Sequence, residues 1–128
     1  MRRLLRIQRG QALVETALML PLFLAIVALT IDIWPAMANF VIAKNLSARG
    51  ARAAAIALPP EDCPTLVANA IGTPELFFAD WSYDLPCAPG QYVAQGAPVT
   101  VSITLEYHPS FWGGTWVIGP ISTTDFGR

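Results

Sequence analysis

Residues 9–21 read Arg-Gly-Gln-Ala-Leu-Val-Glu-Thr-Ala-Leu-Met-Leu-Pro, and the run continues Leu-Phe-Leu-Ala-Ile-Val-Ala-Leu-Thr-Ile-Asp-Ile through residue 33. From Ala12 to Ile33 there are 22 residues. As a helix rising about 1.5 Å per residue they span about 33 Å, close to the thickness of a bilayer's hydrocarbon core. Glu15 stands at the mouth of this run, five residues after Gly10. An ionisable side chain inside a membrane segment is penalised by roughly 2.5–3.5 kcal/mol even on lenient insertion scales, so the position implies a use, and the use requires a cation to meet it. Asp32, an intramembrane acid near the far end of the run, is close enough to the boundary to be wetted, and Trp34 follows where an interfacial aromatic belongs.

Working outward, Arg2, Arg3, Arg6 and Arg9 precede the run, and only Lys44 lies within the next fifteen residues after it. This asymmetry predicts a cytoplasmic N-terminus, with everything after Trp34 outside. A cleavable secretory signal has the same charged-then-apolar order, and Ala36-Met-Ala38 imitates its cleavage site. The apolar section here is too long for that, however, and the helical pattern continues past the membrane. Ala36 to Leu58 is rich in helix formers, and Leu58-Pro59-Pro60 ends the pattern. The domain organisation read from the chain is a basic leader over 1–10, a long helix over 11–58 with a membrane part at 12–33 and an exterior part at 34–58, and a small exterior domain over 59–128. Pro21 and Pro35 each remove a backbone donor from the helix and predict kinks, with Pro35 as a hinge.

On the exterior half, Phe40, Ala43, Ser47, Ala51, Ala54 and Leu58 recur at intervals of three and four, a narrow small-residue face made for close packing. Either the protein's own C-terminal domain or the equivalent helix of another subunit lies against it. Cys63-Pro64 opens a short helix through Ile71, capped near Asp62 or Cys63 and stopped by Gly72. Val99 to Tyr107 alternates apolar at odd positions and polar at even ones without exception, which predicts a half-buried strand. Its partners are sought in Phe77 to Tyr83, Tyr92 to Gln95, and Thr115 to Ile118 or beyond. The fold class is α+β: a long transmembrane helix followed by a small antiparallel sheet packed on its outer half.

Seven of the eight basic residues fall in residues 1–58 and seven of the nine acids in 59–128. An acidic outer domain has no electrostatic footprint for nucleic acid. Cys63 and Cys87 both fall in the exterior portion, where an oxidising compartment favours a disulfide. Their spacing alone fixes no geometry, and two buried thiols are the other reading. The single histidine, His108, has no Cys or His at ligand spacing, so neither metal nor cofactor is expected. Asp80, Asp84, Glu106, His108, Ser82, Ser102 and Ser110 are the titratable or nucleophilic candidates, but no catalytic or phosphate-cradling motif joins them, so no enzyme is expected. Phe111, Trp112 and Trp116 read either as core of a small domain or as a surface for a partner.

Gly10 followed by an apolar stretch with Glu at the fifth position resembles the processing site of type IV pilins and pseudopilins. The N-terminal half is more specifically similar to the TadE-like family of tight-adherence (Flp) pilus systems. The residues that carry the likeness are Arg-Gly-Gln-Ala-Leu-Val-Glu at 9–15, Leu20-Pro21, the acid at Asp32, and Ala48-Arg-Gly-Ala-Arg-Ala53. Val99 to Tyr107, with the Pro-containing aromatic stretch and final Arg that follow, also resembles the family, and residues 59–97 carry little of it. Thr16 stands where the family often has an aromatic, and Asp32 where Glu is more usual. The resemblance implies a pseudopilin or minor pilin of the bacterial inner membrane. It further implies that a prepilin peptidase cuts after Gly10, that the new amine on Gln11 becomes the cation for Glu15 of a neighbouring subunit, and that other pilin subunits are partners through the N-terminal helix. The alternative is a permanently anchored accessory subunit of a larger membrane complex, with its leader retained.

Overall fold

The computed structural model describes residues 2–57, 62–85 and 87–127, and of residues 2–10 the backbone alone. Two helices precede three strands: α1 (Arg2–Ala55), α2 (Cys63–Ile71), β1 (Ala79–Asp84), β2 (Pro98–Tyr107) and β3 (Trp116–Phe126). The chain divides into two compact units, Met1–Trp34 and Pro35–Arg128. The first is helix throughout its described residues. The second holds the rest of α1, then α2 and the sheet.

α1 continues as helix through Pro21 and Pro35 and ends at Ala55, three residues before the expected stop. Ala57 N–H donates to Ala54 O at 3.3 Å, an i to i−3 bond that tightens the last turn. Leu58, the last member of the expected small-residue face, and the terminating Pro59-Pro60 lie outside the described residues. α2 begins and ends as its sequence dictates. Asp62 is its N-cap with extended backbone, Pro64 occupies the first turn where a missing N–H costs nothing, and Gly72 caps the other end at φ 64° with its N–H on Ala68 O.

The strands form an antiparallel sheet in the order β1-β2-β3. β2 is its centre, and Val99, Val101, Ile103, Leu105 and Tyr107 are all buried while the residues between them are not. β3 runs well beyond Ile118 despite Gly119-Pro120. The register slips between Ile103 and Leu105, so that β3 carries an extra residue at that point. A bulge on an edge strand is where proline is tolerated, because no ladder hydrogen bond is lost. Gly119 has φ 125°, and a Cβ there would stand 2.9 Å from Ile103 O, so glycine is required at the bulge. The expected strand at Tyr92 to Gln95 is a correction. Ala97 N–H turns back to Ala94 O, and Gly96 at φ 79° bends the chain onto Gly127, which ends any ladder there.

The core of the second unit gathers Ala43, Leu46, Ala51 and Ala54 of α1, Cys63, Val67 and Ile71 of α2, and the buried face of β2 with Ile121. Ala43, Ser47, Ala51 and Ala54 of the expected small-residue face are therefore covered by the protein's own domain, whereas Phe40 is exposed. Gly50 lies at a tight approach: a Cβ there would lie 3.2 Å from both Ile71 Cδ1 and Val101 Cγ1. The α+β class expected from the sequence is the one observed, with the sheet on the outer half of the helix.

Candidate functional site: the N-terminal helix

From Gln11 to Ile31 every residue of α1 is exposed except the half-buried Ala28. Leu13, Leu18, Phe23, Leu24 and Ile26 each leave more than half of their surface uncovered. A helix that is apolar all round is found in a protein core or across a membrane, and this one is not in the core. By length and composition it is able to cross a bilayer.

Its few polar groups fit a solvent without hydrogen-bond partners. Thr16 Oγ1 donates to Ala12 O at 2.8 Å and Thr30 Oγ1 donates to Ile26 O at 2.8 Å, so each hydroxyl is satisfied by the preceding turn. Glu15 is exposed on the same segment, one residue before Thr16 and about 7–8 Å along the axis from Gly10. Gly10 and Gln11 both lie in continuous helix. Asp32 is buried, at 1% exposure, rather than wetted. In the Pro35–Arg128 unit, Pro35, Asn39, Ala43 and Ser47 of α1 are buried at intervals of four, the period of one helix face.

Residues 10–52 match the model of a family described as TadE-like protein. Over that segment the chain is TadE-like. The match opens on Gly10, takes in Glu15, Pro21, Asp32 and Pro35, and closes within the last turn of α1. No curated protein and no solved structure matches the chain. The matched segment contains the one helix among the described residues that is long and apolar enough to cross a bilayer.

Beyond the TadE-like segment, Cys63 and Cys87 form a disulfide with Cα atoms 6.2 Å apart, joining the start of α2 to the loop after β1. Asn39 and Gly50 carry no sequence signal in an alanine-rich helix, yet both are structurally committed. Asn39 is fully buried, its Nδ2 donating to Phe77 O at 2.7 Å and its Oδ1 accepting from Phe77 N–H at 3.0 Å. Such a two-way bond copies a strand pairing and fixes the entry to β1 on the helix.

The polar candidates of the outer unit are spread over the sheet. Asp80, Ser82 and Asp84 are on β1, and Ser102 and Glu106 on β2. Ser102 Oγ lies 3.0 Å from Ser122 Oγ, a cross-strand pair. His108 Nε2 lies 3.2 Å from Asp80 Oδ2 and its Nδ1 3.4 Å from Thr115 Oγ1. With 48% and 84% of their side chains exposed, His108 and Asp80 form a solvated surface pair worth less than about 1 kcal/mol. Among the described residues no three His, Cys, Asp or Glu side chains are grouped to hold a metal ion.

Proposed function

We propose that this protein is a minor pilin or pseudopilin of a tight-adherence pilus, made as a precursor and cut after Gly10 by a prepilin peptidase. In the inner membrane its N-terminus faces the cytoplasm and its Pro35–Arg128 unit lies outside. The observation that carries this reading is the family match, which begins on Gly10 and covers an apolar helix whose whole circumference is uncovered.

Such a helix has two solvents open to it, lipid and other helices of its own kind, and filament assembly exchanges the first for the second. Apolar area alone makes that exchange nearly neutral, because lipid tails are as apolar as leucine. A charge pair supplies direction. Removal of residues 1–10 takes away four arginines and creates an amine on Gln11. Glu15, uncovered on the helix, meets that amine on a neighbouring copy once both helices are packed together, so that each subunit completes the next. Little water screens the attraction in such surroundings, and a carboxylate already in the span has lost its hydration before the amine arrives.

Intact-mass and N-terminal analysis of the protein purified from its native membrane is the direct test. Gln11 as first residue supports the filament reading. A retained Arg-rich leader in cells that contain the peptidase removes it and leaves the permanently anchored accessory subunit.

A further inference from the structure

The register of the sheet brings three separate stretches to one end. Ala79 pairs with Tyr107 and Tyr107 with Trp116, so the residues before β1, the connection from β2 to β3, and the first residues of β3 all emerge there. The two Asn39 bonds to Phe77 tie that end to α1, and His108 N–H donates to Phe78 O at 2.8 Å to tie the stretches together. The opposite end is bound farther along α1, where Ser47 Oγ meets Thr123 Oγ1 at 2.7 Å. Asn39 follows Ile33, the last residue of the apolar run, by six residues. Six residues rise about 9 Å along a helix and reach no more than about 20 Å when fully extended. The end of the sheet that holds Phe77 is therefore leashed to the membrane surface, whatever the disposition of the two units.

What this end presents is mostly apolar and aromatic, with the solvated His108–Asp80 pair at its margin. Phe77, Phe78, Phe111, Trp112, Trp116 and Val117 each expose between 43% and 64% of their surface. From Pro109 to Pro120 there is no charged residue. Gly113 and Gly114, at φ 63° and 81°, fold the connection tightly just after Phe111 and Trp112. The nearest acids on the sheet, Asp80 and Glu106, pair with each other on the second rung, one strand residue back from the end. They set a limit beyond which lipid contact becomes costly, and so restrict any insertion to a shallow depth.

We propose that this end of the Pro35–Arg128 unit rests in the headgroup layer of the bilayer that α1 crosses, with Phe111 and Trp112 as a second, shallow anchor. The occupant of the surface is lipid, because Asn39, which binds Phe77 at this end, follows the apolar run by only six residues, and the surface has the aromatic composition that membrane interfaces favour. The attraction comes from apolar area rather than charge, so it operates in neutral phosphatidylcholine and is insensitive to salt. It holds for a cleaved or an uncleaved chain and so stands apart from the filament reading.

The test places the full chain in phosphatidylcholine vesicles that carry a photoactivatable diazirine close to the headgroup, followed by mass spectrometry of the adducts. Adducts are expected on peptides covering 76–78 and 109–117 as well as on the span itself, with little change in high salt. The double variant Phe111→Ser, Trp112→Ser should lose most of the adducts on its own 109–117 segment while those on the span are unchanged. Tryptophan quenching by spin-labelled lipid provides a second reading, with Trp112 kept and Trp34, Trp81 and Trp116 changed to Phe; strong quenching of Trp112 is expected. Adducts confined to the span, with Trp112 quenched by aqueous iodide and not by the lipid label, overturn the proposal and leave a protein neighbour as the occupant of this surface.

Discussion

Two residues of the outer unit show how much structure rests on one polar side chain. Asn39 answers both backbone groups of Phe77 from a fully buried position, so Asn39→Ala leaves an N–H and a C=O without partners where water has poor access. We expect a loss of about 1–3 kcal/mol in denaturant unfolding of the detergent-solubilised chain. Asp62 works through charge. Its carboxylate closes no capping hydrogen bond to the backbone of α2, and it is chiefly the Thr65 hydroxyl beside it that holds its pKa below the ordinary 3.8. Burial opposes this, and the backbone around Gly90 assists more weakly. A depressed folded-state pKa means that the folded chain binds the proton less readily than the unfolded one. The contribution is fully present above the unfolded value and is lost as pH falls through the folded one. Thermal midpoints of the wild type and Asp62→Asn should therefore differ by a constant amount above about pH 5 and converge in stronger acid. A difference that persists unchanged into strong acid contradicts the assignment.

Among the elements, β2 and β3 make an instructive pair. β2 is legible because a strand half-buried at the centre of a sheet must alternate, and Val99 to Tyr107 does so without a break. β3 is legible only at its start, since Gly119-Pro120 reads as an end of structure, and only the paired register shows that one extra residue absorbs the proline. Tyr92 to Gln95 misleads for the converse reason: four suitable residues form no strand once Gly96 turns the chain. The small-residue face of α1 was readable, but its occupant was not, because alanines at helical spacing admit a partner helix and a covering sheet equally well. Gly119→Ala tests the bulge. The new Cβ meets the backbone of Ile103 at a φ that side chains rarely adopt, so we expect at least about 1–3 kcal/mol of destabilisation, seen as a lower midpoint with strand signal lost on heating. The disulfide is a test at the same scale. Cys63 and Cys87 close a loop with a sequence separation of 24, which restricts the unfolded chain and contributes roughly 3 kcal/mol. Replacing both cysteines with alanine should lower stability by about that amount, and reductant should lower the wild type but not the variant.

At the level of the whole molecule the charges are divided so that processing matters. In the full chain four of the eight basic residues precede the span; the proposed cut after Gly10 would leave four basic residues against nine acids and make the amine of Gln11 a new cation near Glu15. If that amine on a neighbour is Glu15's partner, then Glu15→Ala spares the monomer. The side chain is exposed on the helix and belongs to no core, so α1 should still insert, the Cys63–Cys87 unit should fold, and the protein should accumulate in the membrane at wild-type level. What should fail is incorporation: the variant recovered with sheared filaments ought to fall by tenfold or more, the consequence of losing about 1.4 kcal/mol or more per subunit contact. Glu15→Asp keeps the charge on a shorter stem and should fall between the two, whereas Glu15→Gln, which keeps the shape and loses the charge, should behave as alanine does. Normal incorporation of both the Ala and Gln variants would mean that the carboxylate merely reaches for the headgroups. Normal incorporation of Gln with failure of Ala would locate the requirement in a hydrogen bond and not in an ion pair.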